Sequence, residues 1–119
     1  MGLDSYVYAD DKATKDEGII ELSDERSGIA YWRKCWFIHS YMAEYYQNYD
    51  KNEYDFNCIP VQLSLEMLEV LLKVMSQEHL LDSLSGHTDI EEGDIEELQK
   101  VISYSKDNPN TPLYFYSWY

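Results

Sequence analysis

The sequence predicts an α+β fold: a small antiparallel sheet formed by both chain ends, with about three helices packed on one face. Three observations carry this. Residues 1–9, MGLDSYVYA, and 113–119, LYFYSWY, both alternate with Tyr at every second position, which is the period of a β-strand. Between them, residues 29–49, 65–84 and 94–105 carry apolar side chains at helical spacing. The chain of 119 residues has no internal repeat or low-complexity tract and reads as a single domain, 1–119.

In the first strand, Leu3, Ser5, Val7 and Ala9 point to one face and Tyr6 and Tyr8 to the other. Residues 10–18, DDKATKDEG, are polar, end in Gly and read as a loop. Residues 18–22, GIIEL, are a short second strand or an edge, with too short a period to choose. Ser23, Asp24 and Ser27 are candidate N-caps for the first helix, because their oxygens accept unpaired first-turn N–H groups. That helix is expected over residues 29–49, a run free of Gly and Pro. Its inward stripe would hold Trp32, Cys35, Trp36, His39, Met42, Ala43 and Tyr46, and the rest of the chain would be organised around it.

Residues 48–57 form a polar break. Residues 58–63, CIPVQL, suit a short strand that Pro60 confines to an edge or a strand end. Ser64 is the expected cap of the second helix. There Leu65, Leu68, Leu71, Leu72 and Met75 form a stripe that Met67, Val70 and Val74 widen, which suggests burial on two sides. Asp94 and Glu97 match a capping box opening the third helix, with Ile95, Leu98, Val101 and Ile102 inward and Pro109 and Pro112 beyond its end. The closing strand is expected to pair with the first through an aromatic cross-strand ladder.

Nine basic against 23 acidic residues leave a net charge of −14. Such a field repels nucleic acid and anionic membrane and attracts basic surfaces. Arg33 and Lys34, with Arg26 before them, are too few for a phosphate-tracking groove, so direct nucleic-acid binding is not expected. Residues 1–11 show no secretory leader pattern and no apolar run approaches ~18 residues, so neither a membrane span nor secretion is expected. The expected compartment is the cytoplasm, where Cys35 and Cys58 stay reduced and read first as small buried hydrophobes.

Several stretches taken together resemble a known family. MGLD at residues 1–4, YWRK at 31–34, Ile38-His39, Asn57-Cys58 and Ser117-Trp118 are similar to small proteins of tailed phages and prophages that open with Met-Gly-Leu-Asp and close on an aromatic-Ser-Trp. The matching pieces cover about a third of the chain and span it end to end. Family members carry a Gly- and Phe-rich segment ahead of the third helix, where this chain is acidic and lacks aromatics. The resemblance implies a phage accessory protein, active in the host cytoplasm, and brings no catalytic residues with it.

No active-site signature emerges from the residues, so the chain reads as a non-enzyme without a cofactor. Its five Gly are never clustered into a phosphate loop, and no Gly-x-Ser-x-Gly elbow occurs. Cys35 and His39 stand at i and i+4 and would, with Cys58 and His79 or His87, supply zinc-type ligands, but the spacing is no zinc signature and a core Cys beside a satisfied His is favoured. The same pair as nucleophile and base would need a polar, open pocket. Asp4 and Glu21 would face each other only if the first two strands paired. The run DIEEGDIEE at 89–97 fails a calcium loop, because Lys100 stands where the bidentate Glu belongs.

Two functional readings follow. The first is an interaction protein that binds a host protein with a basic surface and inhibits a nucleic-acid-handling or defence factor, of anti-restriction or anti-CRISPR type. Carboxylates would stand in for DNA phosphates and exposed Tyr and Trp would anchor the contact. Its partner-binding residues would be Asp89, Glu91, Glu92, Asp94, Glu96 and Glu97, with Asp10, Asp11, Asp16 and Glu17 as a second patch. The second is a small-ligand or nucleotide binder with a pocket between the first helix and the terminal strands, using Arg33, His39 and Tyr116. A homodimer through the Tyr-rich sheet face is a third reading.

Overall fold

A computed structural model describes residues 3–16, 19–49, 60–85 and 90–118, with the side chains of 16, 19, 43–49 and 81–85 left aside. Strand β1 (Asp4–Ala9) alternates as expected: Ser5, Val7 and Ala9 are buried, while Tyr6 and Tyr8 are half-exposed on the other side. It pairs antiparallel with β6 (Leu113–Trp118), setting Asp4 opposite Trp118, Tyr6 opposite Tyr116 and Ala9 opposite Leu113. The fold is α+β, and the chain-end strands lie side by side at the centre of a four-stranded antiparallel sheet.

The sheet order is β4-β1-β6-β5. Its edges are β4 (Ser27–Arg33) and β5 (Val61–Leu63), the latter within the stretch where Pro60 called for a strand end. Strand β4 corrects the expected first helix. In IAYWR, Ala30 and Trp32 are buried while Tyr31 and Arg33 are exposed, which is period two. The helical spacing of Trp32, Cys35 and Trp36 arose by coincidence across a strand–helix junction. At that junction Lys34 takes a left-handed conformation (φ 58°), and its N–H donates to the Leu3 carbonyl at 2.7 Å. Helix α1 (Trp36–Tyr49) starts only after this turn. Its inward residues are Ile38 and Met42, with Cys35 just ahead of it, whereas Trp36 is 54% exposed. The expected positions of Ala43 and Tyr46 fall among the side chains left aside.

Helix α2 (Leu65–Ser85) begins where expected. The Met67 N–H donates to Ser64 Oγ at 3.2 Å, and the Leu68 N–H reaches the Ser64 carbonyl. Met67, Leu68, Leu71 and Met75 are buried, but Val70 is 48% exposed among Glu66, Glu69 and Lys73, so the helix is not buried on two sides. Helix α3 (Glu92–Asp107) starts earlier than the expected capping box. Its cap is Glu91, in extended conformation, and Asp94 reaches back so that its carboxylate accepts the Glu91 N–H at 3.0 Å. A hairpin of β2 (Thr14–Asp16) and β3 (Ile19–Glu21) stands where a loop was expected over 10–18; strands this short leave too few residues to show a period. Because this hairpin is a separate sheet, Asp4 and Glu21 do not face each other across paired strands.

Val7, Trp32, Ile38, Leu68, Leu71, Leu98, Val101 and Phe115 belong to the core between the helices and the inner sheet face. One polar chain lies within it: Ser5 Oγ and Ser117 Oγ are 3.5 Å apart, and Ser117 Oγ lies 3.1 Å from His39 Nδ1. Among the described residues, no helix is long and apolar enough to cross a membrane.

Candidate interaction surface

Strand alternation sends a second set of residues to the face turned away from the helices. These are Asp4, Tyr6 and Tyr8 from β1, Tyr31 and Arg33 from β4, and Tyr114, Tyr116 and Trp118 from β6. The rings interlock across the strands. Tyr6 stacks on Tyr8 (centroids 5.6 Å apart) and tilts against Tyr31 (5.0 Å), and Tyr8 meets Tyr116 edge-on at 6.3 Å. Burial keeps the Tyr114 hydroxyl above its ordinary pKa. At Tyr6 burial does the same, helped by the Asp4 charge; at Tyr31 the hydrogen bond to Asp4 is the main cause. These phenols are therefore neutral, polar-tipped rings across the physiological range.

The face is graded from end to end. Tyr114 is buried, whereas Tyr31 is 43% and Trp118 59% exposed at the opposite end. Between these extremes, Tyr8 and Tyr116 line an open cleft with Ile20, Glu21, Leu22 and Arg26.

The exposed end adjoins α3 through Tyr31. Its hydroxyl donates to Asp4 Oδ1 at 2.5 Å, and its main-chain N–H donates to Glu97 Oε2 at 3.2 Å. Glu97 thus covers a donor on an edge strand that would otherwise be a template for pairing. The same carboxylate is held by Lys100 Nζ at 3.3 Å. Asp94 is equally engaged: its carboxylate caps α3, its carbonyl accepts the Trp32 indole N–H at 2.9 Å, and it faces the Cys35 thiol. Burial, reinforced by Asp94, pushes that thiol up to about 11, so Cys35 is no thiolate at neutral pH. The His39 ring faces Ser117 instead, and Trp36 packs edge-on over it at 5.5 Å. Cys58 lies outside the described residues, as does His87. Among those described, no three His, Cys, Asp or Glu side chains converge as metal ligands.

The expected acidic residues therefore divide. Glu91, Glu92 and Glu96 are exposed at the start of α3, Glu91 as the cap that shares a capping box with Asp94, while Asp94 and Glu97 are half-buried and hold structure. Asp89 and Glu17 lie outside the described residues, and the side chain of Asp16 is among those left aside. Asp11 is exposed, but Asp10 is 2% exposed and turned inward. Desolvation would raise its pKa, yet hydrogen bonds from Ser23 Oγ (2.7 Å), the Ser23 N–H (2.6 Å) and the Lys12 N–H (3.0 Å), with Arg26 nearby, outweigh it and hold the carboxyl below its ordinary range. Asp10 ties the end of β1 to the chain beyond β3.

Arg33 and Tyr116 share the outer face, whereas His39 lies on the inner side against Ser117, so these three are not brought together. Sequence reasoning missed Tyr31 as a member of the outer face; the alternation in IAYWR was the signal. Comparison with protein-family models, curated proteins and solved structures returns no match for this chain.

Proposed function

We propose that the chain is an acidic phage accessory protein that binds a basic surface on a host protein and inhibits it. The target class is a nucleic-acid-handling or defence protein, as for anti-restriction or anti-CRISPR factors, and the site of action is the host cytoplasm. The phage assignment rests on the end-to-end sequence resemblance. The binding mode rests on one observation: exposed Glu91, Glu92 and Glu96 stand on the helix whose Glu97 is bonded to Tyr31, at the open end of the aromatic face. Carboxylates beside exposed aromatic rings give both parts of a protein interface, charge complementarity for steering and large apolar anchors for affinity. Glu91, Glu92 and Glu96 then occupy places that DNA phosphates would take, with Tyr31 and Trp118 as anchors.

The test is affinity capture from a bacterial lysate at low and high salt, comparing wild type with a variant carrying Glu91→Gln, Glu92→Gln and Glu96→Gln. Glu97 is left intact because it holds β4. The expected result is one basic protein retained by the wild type at low salt, released at high salt and lost from the variant, whose melting temperature is unchanged. Undiminished capture by the variant would rule out carboxylate mimicry. Retention of a second copy of the chain alone would favour the homodimer.

A further inference from the structure

The cleft beside the β2–β3 hairpin has a composition that the interaction reading does not use. It is open to solvent on one side and offers about 270 Å³. Drug-sized pockets start at ~300 Å³, so the occupant is a molecule of about amino-acid size. Its rings are Tyr8 and Tyr116, set edge-on to one another, and Ile20 and Leu22 add apolar surface. Two opposite charges share the lining. Arg26 lies with its guanidinium over the Tyr8 ring, 5.3 Å from the centroid, its Nη1 donating to the Ser23 carbonyl at 2.9 Å and the Asp10 carboxylate nearby. Glu21 is exposed on β3. Among the described residues no ion pair joins the two.

The geometry points to a binding site for a free aromatic α-amino acid. Its ring packs against Tyr116, Ile20 and Leu22 and the edge of Tyr8, whose ring already carries Tyr6 and Arg26, its carboxylate is held by Arg26 and its ammonium by Glu21. Charge decides between ligand classes. A simple anion has to approach a molecule of net charge −14, and a simple cation meets Arg26 at the cleft. A zwitterion carries no net charge, so the field of the whole protein neither attracts nor repels it to first order, and each of its ends finds an opposite partner. A ring-bearing zwitterion also covers the aromatic surface that glycine would leave wet. This site is separate from the acidic turns of α3 and stands whether or not a protein partner exists.

The test is isothermal titration calorimetry on the full chain with L-phenylalanine, N-acetyl-L-phenylalanine, L-phenylalaninamide and glycine. L-Phenylalanine is expected to bind saturably with a Kd of about 1 mM or tighter. N-acetylation removes the ammonium and amidation removes the carboxylate, and each is expected to weaken binding about tenfold or more, a loss of one charge-assisted contact. Glycine is expected not to bind. Arg26→Gln and Glu21→Gln are each expected to weaken L-phenylalanine without altering the circular dichroism, and NMR shifts should centre on Tyr8 and Tyr116. No saturable binding of L-phenylalanine to the folded wild type overturns the proposal. Equal binding of all four probes overturns it too, and that comparison needs no variant.

Discussion

The two faces of the sheet are built from alternate residues of the same strands and do opposite things. On the inner face Val7 and Phe115 are fully buried against the helices, and Ser5 and Ser117 satisfy each other and His39. On the outer face Tyr6, Tyr8, Tyr31 and Tyr116 contact one another by stacked, tilted and edge-on pairs and keep part of each ring in water. A residue's contribution therefore depends on the parity of its position. Phe115 and Tyr116 are chain neighbours with similar rings, yet one is core and the other lines a surface cleft. The inner face holds the fold, and the outer face keeps ring surface of Tyr31 and Trp118 in water.

The largest expected effect tests this parity directly. Phe115→Ala should cost about 3–5 kcal/mol, the usual range for deleting a buried ring, whereas Tyr116→Ala should cost at most about 1–2 kcal/mol; urea unfolding of the two variants measures the difference. Equal losses would break the comparison. Next comes Asp10, the inward-turned member of the expected acidic patch. Asp10→Ala should destabilise by about 1–3 kcal/mol, because the Ser23 and Lys12 donors lose their acceptor. Its folded pKa is depressed, so its stabilisation is present above the ordinary carboxylate range and is lost as pH falls through the folded value. The wild type should therefore lose stability on acidification through that window, and Asp10→Ala should show a flatter profile in chemical denaturation.

At the alkaline end the sign reverses. Tyr6 and Tyr114 have raised folded pKa values, so their contribution is present below the ordinary phenol pKa and is lost as pH rises through the folded ones. Melting temperature should fall above about pH 10, and Tyr114→Phe should blunt the fall. The smallest stability effect is expected at Trp118. Trp118→Ala should change unfolding free energy by no more than about 0.5 kcal/mol, since the ring is 59% exposed.

Much of this architecture was legible in the chain. The terminal strands declared themselves through Tyr alternation, and α2 through Ser64 and its leucines. Strand β4 was not legible, because YWRKCWFIH contains a strand end and a helix start whose apolar residues fall by chance on a 3.6 period. Only the parity of Ala30 and Trp32 against Tyr31 and Arg33 separates them, and five residues are a short window. The hairpin of β2 and β3 escaped for the same reason. At the candidate surface, composition announced acidity but could not divide it. Glu92 and Glu96 differ from Asp94 and Glu97 only through what the fold sets beside them: the cap residue Glu91, the Trp32 indole and the edge of β4. The cleft gathers Tyr8, Glu21, Arg26 and Tyr116 from distant parts of the chain, which no local pattern records.

The division of labour between the faces is tested most directly by measuring the Kd of Trp118→Ala for the captured partner beside its melting temperature. The account predicts affinity weakened by about tenfold or more, as for an interface anchor, with the melting temperature close to wild type. Unchanged affinity, or a loss that only tracks unfolding, would contradict it.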